Sequence, residues 1–365
     1  MRPKFLMSIL LLTAGSAALL LSDDDKDKDK ENEGKDSFEF AVIGDQPYIP
    51  AAINGSGQKV QVYPSPAYNN QIADVNKEKV EFTVHIGDIK AGDTLCEDNV
   101  YQQNLALFNT FKSAVIFTPG DNEWTDCHRA NNGGMNPIER LTFLRTTFYP
   151  TNQSLGQKKI GLTRQSSTPG FAVYRENVIW REGAVIFCAV HMPGSNNNRN
   201  RTTGPFQDAD AEYNARNAAN LVWIDKAFDM AASSSIKGVF FFFQANPFER
   251  FLEPGQGYTV SGYADAIAKL RTRTNALKKP VAAAHGDTHY WRIDKPLTET
   301  YPACASTTPP CVPVAAAGAR YEYFTRHEVF AQNDVHWTKV RVEPKNPTLF
   351  VLEQKIVAAN IAVHP

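Results

Sequence analysis

Four Gly-Asp pairs each stand directly after an apolar run: Gly44-Asp45 after FEFAVI, Gly87-Asp88 after EFTVHI, Gly120-Asp121 after AVIFTP and Gly286-Asp287 after VAAAH. A fifth run, VFFFF, ends in Gln244-Ala245-Asn246, and polar neighbours extend the other clusters to Gln46, to Asn122-Glu123 and to Thr288-His289. A single Asp after Gly is ordinarily a turn residue or a helix N-cap. Four at the same place relative to an apolar run are not explained by capping. Carboxylates brought together repel strongly unless a cation sits between them. The residue types and their placement predict a metal site made mainly of carboxylates.

The elements that position these clusters are strands. Between the second and third runs, NVYQQNLALFNTFKSA has apolar residues at helical spacing. AVIFCAVHMPG is followed by the helical NARNAANLVWIDKAFDMA, then VFFFFQANP, the helical YADAIAKLRTRTNALKK and PVAAAHGDTH. Strands alternating with helices predict an α/β architecture, and the β-rich end from Tyr321 to Val357 suggests a second sheet. In such sheets ligands bind at the carboxyl ends of strands, so the polar clusters are expected in one crevice.

The chain has 365 residues, with 38 Lys plus Arg against 39 Asp plus Glu. That balance gives no electrostatic footprint for nucleic acid, and composition excludes fibrous and multispan membrane classes. Arg2 and Lys4 precede an apolar run from Phe5 to Leu21, which reads as a secretory signal or an uncleaved anchor over residues 1–22. Residues 23–37 are a charged segment expected to be a disordered linker, because it has too little apolar surface to offset ordering entropy. Export follows, to a secreted or periplasmic location, with membrane contact only through an uncleaved leader. The cysteines agree with an oxidising compartment: Cys304 is expected to pair with Cys311, Cys96 with Cys127, and Cys188 to stay free inside a strand.

In this order and context the clusters resemble those of the calcineurin-like metallophosphoesterases, from Phe38 to about Arg341. The resemblance implies a four-layer α/β/β/α sandwich with two mixed β-sheets, a phosphoesterase domain over residues 38–345, and a C-terminal strand and tail over 346–365. It implies two divalent metal ions: Asp45 and His289 on the first, Asp88 bridging, Asp121, Asp287 and Gln244 (or Asn246) on the second. The implied reaction is hydrolysis of a small phosphate-ester substrate through a metal-bridged hydroxide. Pro47 stands where the family often has a first-metal His, and Asn122 replaces its catalytic His. Ala91 stands where purple acid phosphatases need a Tyr, which excludes that branch. The substitutions exchange imidazoles for carboxylates and amides, and hard oxygen ligands favour Mg²⁺, Mn²⁺ or Ca²⁺ over Zn²⁺ or Fe.

His191, at the end of AVIFCAV, is the candidate for the acid role that Asn122 cannot fill. His85 is expected in the core or supporting a ligand, His285 orienting a ligand, and His128 at the surface. Arg199, Arg201 and Arg250 lie on loops where they either grip phosphate or solubilise the chain. Sequons begin at Asn54, Asn152 and Asn200. Two other functions fit the same residues: a non-catalytic exported domain with a degenerate metal site, and a metal-free glycosidase using two of the acids.

Overall fold

The run VFFFF is used on both faces of one strand. Successive side chains of a strand point to opposite sides, so Phe240 and Phe242 enter one core while Val239, Phe241 and Phe243 enter another. The same alternation sends Phe40 and Val42 to the inner core and Ala41 and Ile43 to a third. Three apolar layers therefore separate four layers of structure.

The computed structural model describes residues 37–48, 52–199, 206, 209–248, 261–299, 319–332 and 334–361. The leader, nearly all of the charged linker, Asn200, Arg201, Arg250, Cys304 and Cys311 lie outside them.

In chain order the strands are β1 (Phe38–Ile43), β2 (Ala52–Ile53), β3 (Lys59–Val60), β4 (Phe82–His85), β5 (Ala114–Phe117), β6 (Leu155–Gly156), β7 (Thr163–Arg164) and β8 (Val178–Glu182). They continue with β9 (Val185–Ala189), β10 (Gly238–Phe242), β11 (Val281–His285), β12 (Arg292–Asp294), β13 (Phe324–Glu328), β14 (Trp337–Val342) and β15 (Phe350–Lys355). One mixed sheet has the order β15-β14-β1-β4-β5-β6 and the other β12-β13-β11-β10-β9-β8-β7. β1, β4 and β5 are parallel, with Ile43 opposite His85 and His85 opposite Phe117. β9, β10, β11 and β13 are parallel in the second sheet.

Between the sheets Phe40 stacks on Phe82 at 4.9 Å and meets Phe240 edge-on at 5.3 Å. Burying each such side chain contributes roughly 1.5–3 kcal/mol. Helices Pro66–Val75, Asp98–Phe108 and Pro137–Phe148 cover the first sheet, and Ala209–Ala231 and Ala264–Leu277 cover the second. This is the expected α/β/β/α sandwich.

The β-rich end of the chain does not make a sheet of its own. β13 extends the second sheet, whereas β14 crosses to pair antiparallel with β1, Phe38 opposite Val342, and β15 follows it. The free edge of β1 exposes unpaired backbone groups, which β14 satisfies. Both sheets are instead founded on the α/β portion. Cys96 and Cys127 form a disulfide that ties the approach to helix Asp98–Phe108 to the turn after Glu123, and Cys188 is free and buried in β9. Among the described residues no helix is long and apolar enough to cross a membrane.

Candidate metal centre

Parallel strands deliver their carboxyl ends to one edge, and the last side chain beyond each strand must turn back over that edge. Asp45 (φ 51°), Asp88 (φ 56°), Asp287 (φ 77°) and His289 (φ 65°) do so in left-handed conformation. For a non-glycine residue this costs about 1–2 kcal/mol. The preceding glycines serve a different purpose from the one their spelling suggests. A Cβ on Gly120 would overlap the Asp88 carboxylate, and one on Gly286 would overlap that of Asp45. One on Gly194 would lie 2.5 Å from Asp287 Oδ1 and 2.8 Å from Asp121 Oδ2. Gly120 and Gly286 thus make room for the acid of another cluster, whereas a Cβ on Gly44 would meet Ile86 and one on Gly87 the Gly120 backbone.

Hydrogen bonds join the two sheets across this edge. The Asp287 backbone N–H donates to Asp45 Oδ2 at 2.9 Å. Gln244 Nε2 donates to Asp88 Oδ2 at 3.1 Å and Asp287 Oδ1 at 3.3 Å. The structure thus brings together Asp45, Asp88, Asp121, Asn122, Gln244, Asp287 and His289. Asn246 reaches the cluster by its backbone N–H, which donates to Asp287 Oδ2 at 3.1 Å.

Electrostatics mark the cluster as under-compensated. Burial, then the charges of Asp121, Glu123 and Asp45, push Asp88 well above the usual carboxylate range. Burial, then Glu328 and Asp121, do the same to Asp45. Glu123, which accepts the backbone N–H groups of Asp88 and Gly120, is raised to about 7 by burial and by Asp121. Burial lowers His289. Lys90 is fully buried nearby and falls to about 8 for the same reason, in spite of four neighbouring acids.

A cleft of about 230 Å³ opens over these residues, lined also by Tyr48, Asp126, Arg129 and Ser195. None of these four was legible as a site residue. Tyr48 donates to Asp88 Oδ2 at 2.7 Å, where Asn122 Nδ2 also donates at 2.9 Å. Asp126, raised to about 8 by burial and by Asp121, pairs with Arg129 at 2.8 Å. Ser195 Oγ lies 2.8 Å from Asp121 Oδ2 and 2.7 Å from Asp126 Oδ1. Ser195, Asn196, Asn197 and Asn198 are consecutively left-handed. The Asn run was the available signal, since Asn tolerates that region better than most residues.

His191 is placed elsewhere. It is fully buried, its Nδ1 2.8 Å from Glu176 Oε1 and its ring 5.3 Å from Trp124, and it is not among the described side chains lining the cleft. His85 Nε2 lies 2.8 Å from the Gln46 carbonyl in the outer core, one residue from Asp45. His285 meets the Gly286 carbonyl and stacks on Phe243. Arg199 donates to the Ser261 carbonyl and covers Tyr213, holding its loop.

The donor set can be compared with what a metal needs. Among the described residues, no group of three or more His, Cys, Asp or Glu side chains stands ready to hold an ion. The chemistry nevertheless fits a hard cation. Asp45 Oδ1 and Asp121 Oδ1 are buried acceptors with no hydrogen-bond partner among the described residues, and the repulsion among their neighbours is what a cation would relieve.

No protein-family model matches the chain, and no curated protein matches it. Among solved structures it is similar to a dimetal phosphatase from Danio rerio, at 11% identity and TM-score 0.50, over 88% of this chain and 96% of that one. It is also similar to a purple acid phosphatase from yellow lupin (Lupinus luteus) seeds, at 12% identity and TM-score 0.46, over 89% of this chain and 52% of that one. The two facing sheets and their strand order are the fold the chain shares with that dimetal phosphatase.

Proposed function

We propose that the protein is an exported, metal-dependent phosphoric ester hydrolase. The observation that carries this reading is the convergence of Asp45, Asp88, Asp121 and Asp287, with buried Oδ1 atoms on Asp45 and Asp121 that have no partner among the described residues. In this reading Asp45 and His289 would hold one cation and Asp121 and Asp287 another, with Asp88 shared. Gln244, expected as a ligand, instead turns its Nε2 to Asp88 and Asp287 while its Oε1 accepts the Gly194 N–H, so it would steady the acids rather than ligate. When bound, the cations supply neutralisation of phosphoryl charge and activation of water near neutral pH.

The chain's own groups orient the acids. Asn122 Nδ2 and Tyr48 OH, 2.7 Å apart, both donate to Asp88 and both line the cleft, so they fix the orientation of the carboxylate that the cations would share. Asn122 has no proton to give up at neutral pH, so its role is orientation. His191, engaged by Glu176, is not given the proton-donor role. Export is supported by the Cys96–Cys127 disulfide together with the basic head and apolar run at the N-terminus.

One observation favours the non-catalytic alternative. Asp88 Oδ2 already accepts from Tyr48, Asn122 and Gln244, a degree of satisfaction that suits a carboxylate kept for structure. Metal analysis of purified protein, with chelator-sensitive hydrolysis of p-nitrophenyl phosphate and its bis ester in Mg²⁺, Mn²⁺ or Ca²⁺, decides between them. Hydrolysis that a chelator abolishes and metal restores is expected. Metal-dependent melting without hydrolysis selects the alternative, and hydrolysis untouched by a chelator removes the metal altogether.

A further inference from the structure

We infer that Arg129 selects a phosphate monoester over a diester at this cleft, an inference that rests on the phosphoesterase reading above. Among the described residues lining the cleft, Arg129 carries the one guanidinium or ammonium group. Lys90, the nearby ammonium, is buried and donates to the Ala91 carbonyl. Arg129 belongs to none of the strand-end clusters. It follows the single turn Thr125–His128, two residues beyond the disulfide-bonded Cys127.

Its anchorage is built in. Nη1 pairs with Asp126 Oδ2 at 2.8 Å and Nη2 donates to Ser195 Oγ at 3.2 Å. Asp126 and Ser195 are 1% and 5% exposed, whereas the Arg129 side chain is 30% exposed, so the group is gripped on its buried side and reaches the cleft on the other. Ser195 is itself fixed, because the left-handed turn that begins there is pinned from several sides. Arg216 donates to Asn197 Oδ1 and to the Asn197 carbonyl, the Asn197 backbone N–H donates to Tyr263 OH, and Gly262 N–H donates to Asn196 Oδ1. A guanidinium held this way loses little freedom when it meets a ligand.

A phosphate monoester carries about two negative charges near neutral pH, and a diester carries one. A fixed cation favours the more highly charged ligand, and a guanidinium fork matches two phosphoryl oxygens at once. A diester keeps two non-bridging oxygens against the three of a monoester, so fewer remain for the guanidinium once cations are bound. If Arg129 merely neutralised Asp126, both ester classes would respond alike to its removal.

The test uses the full chain loaded with Mn²⁺. kcat/KM is measured for p-nitrophenyl phosphate and bis(p-nitrophenyl) phosphate, with inhibition by inorganic phosphate, in wild type, Arg129→Ala and Arg129→Lys. Arg129→Ala should lower the monoester-to-diester ratio of kcat/KM about tenfold or more, mainly through the monoester KM, and weaken phosphate inhibition by a similar factor. Arg129→Lys should recover part of both. Should Arg129→Ala fail to fold, the double variant Asp126→Asn/Arg129→Gln leaves no unpaired charge and should show the same fall. A ratio within twofold of wild type overturns the inference while leaving the phosphoesterase reading standing. A wild type that hydrolyses neither ester and is not bound by phosphate overturns both.

Discussion

Two regions of this molecule bury carboxylates, and they do so in opposite ways. Glu176 is fully buried, yet every demand it makes is met by the chain. Arg145 grips it bidentately, Nη2 to Oε1 at 2.5 Å and Nε to Oε2 at 3.0 Å, and His191 closes on Oε1. Burial alone would raise Glu176, but Arg145 and His191 outweigh it and hold the carboxyl below its ordinary range. The backbone around it is also held: Asn177 accepts the His191 N–H and donates to Gln165 and Asn220, and Asn220 donates to the His191 carbonyl, with His191 Nε2 the atom left without a partner among the described residues. The strand-end cluster has at least as many acids but too little internal cation, so Asp45 and Asp88 are driven up and acceptors remain over. A buried acid satisfied by its own chain is architecture. One that is left over among like charges is where a cation would bring the largest relief.

The largest effect should come from the bridging position. Asp88→Asn should abolish metal binding and reduce hydrolysis roughly a thousandfold. The same change should raise the melting temperature of the metal-free protein, because it removes a carboxylate that burial and three neighbouring acids disfavour. Activity assays and differential scanning calorimetry in a chelator read both arms. A fall in metal-free stability would place Asp88 with Glu176 and break the contrast.

Glu176→Ala should behave in the reverse sense. Leaving Arg145 and His191 without their buried partner should cost about 3–5 kcal/mol of stability. Metal affinity of the remaining folded protein should not change. Urea unfolding and equilibrium dialysis separate the two quantities, and a lost metal site would show that the two regions are coupled.

The pH dependence of stability sharpens the comparison. Burial depresses His85, His191 and His327 to about 4 from an ordinary value near 6.5. Their folded values lie below their unfolded ones, so the stability they contribute is complete above about 6.5 and is lost as pH falls toward 4. Glu123 and Asp126 are raised to about 7 and 8. Their contribution is complete below the ordinary carboxylate values and is lost as pH rises through 7 and 8. Metal-free protein should therefore be most stable in mildly acidic solution, and Mn²⁺ should flatten the alkaline limb alone. Melting temperatures from pH 4 to 9, with and without Mn²⁺, provide the check.

The smallest effects are expected where the residues depart from the resemblance. Asp121→Asn keeps an oxygen ligand, so metal should still bind, with preference moved a few-fold toward softer ions. Asn122→His restores an imidazole beside Asp88 and should raise hydrolysis only if the orientation supplied by Asn122 and Tyr48 is limiting. Metal competition binding and kcat measure these. Loss of metal on Asp121→Asn would mean that the second carboxylate charge is indispensable.

What the sequence made legible was what depends on local pattern. The Gly-Asp pairs, the apolar runs before them and the helices at Asp98–Phe108, Ala209–Ala231 and Ala264–Leu277 all carry their signal within a dozen residues. So does the convergence of the strand ends, once an α/β sheet is assumed. Partnerships made by folding were not legible. Glu176 lies fifteen residues before His191 and meets it only because β8 and β9 pair, which carries the imidazole away from the cleft into a closed network. Tyr48, Asp126, Arg129 and Ser195 reach the cleft from loops with no periodicity to betray them. β14 and β15 have ordinary strand character, and which sheet they join is decided by the open edge of β1 rather than by anything in their own residues.

The central claim is that the strand-end acids are arranged around a cation. Its most direct test is uptake of Mg²⁺, Mn²⁺ and Ca²⁺ by chelator-treated protein, followed by equilibrium dialysis with metal analysis and by thermal melting of the same samples. The account predicts saturable binding of at least one of these ions. It also predicts a melting temperature that rises with metal concentration, by the equivalent of about 2.7 kcal/mol at a hundredfold excess over Kd, and both responses should vanish in Asp88→Asn. Wild-type protein that takes up no ion at millimolar concentration, and melts at one temperature with or without metal, would contradict it.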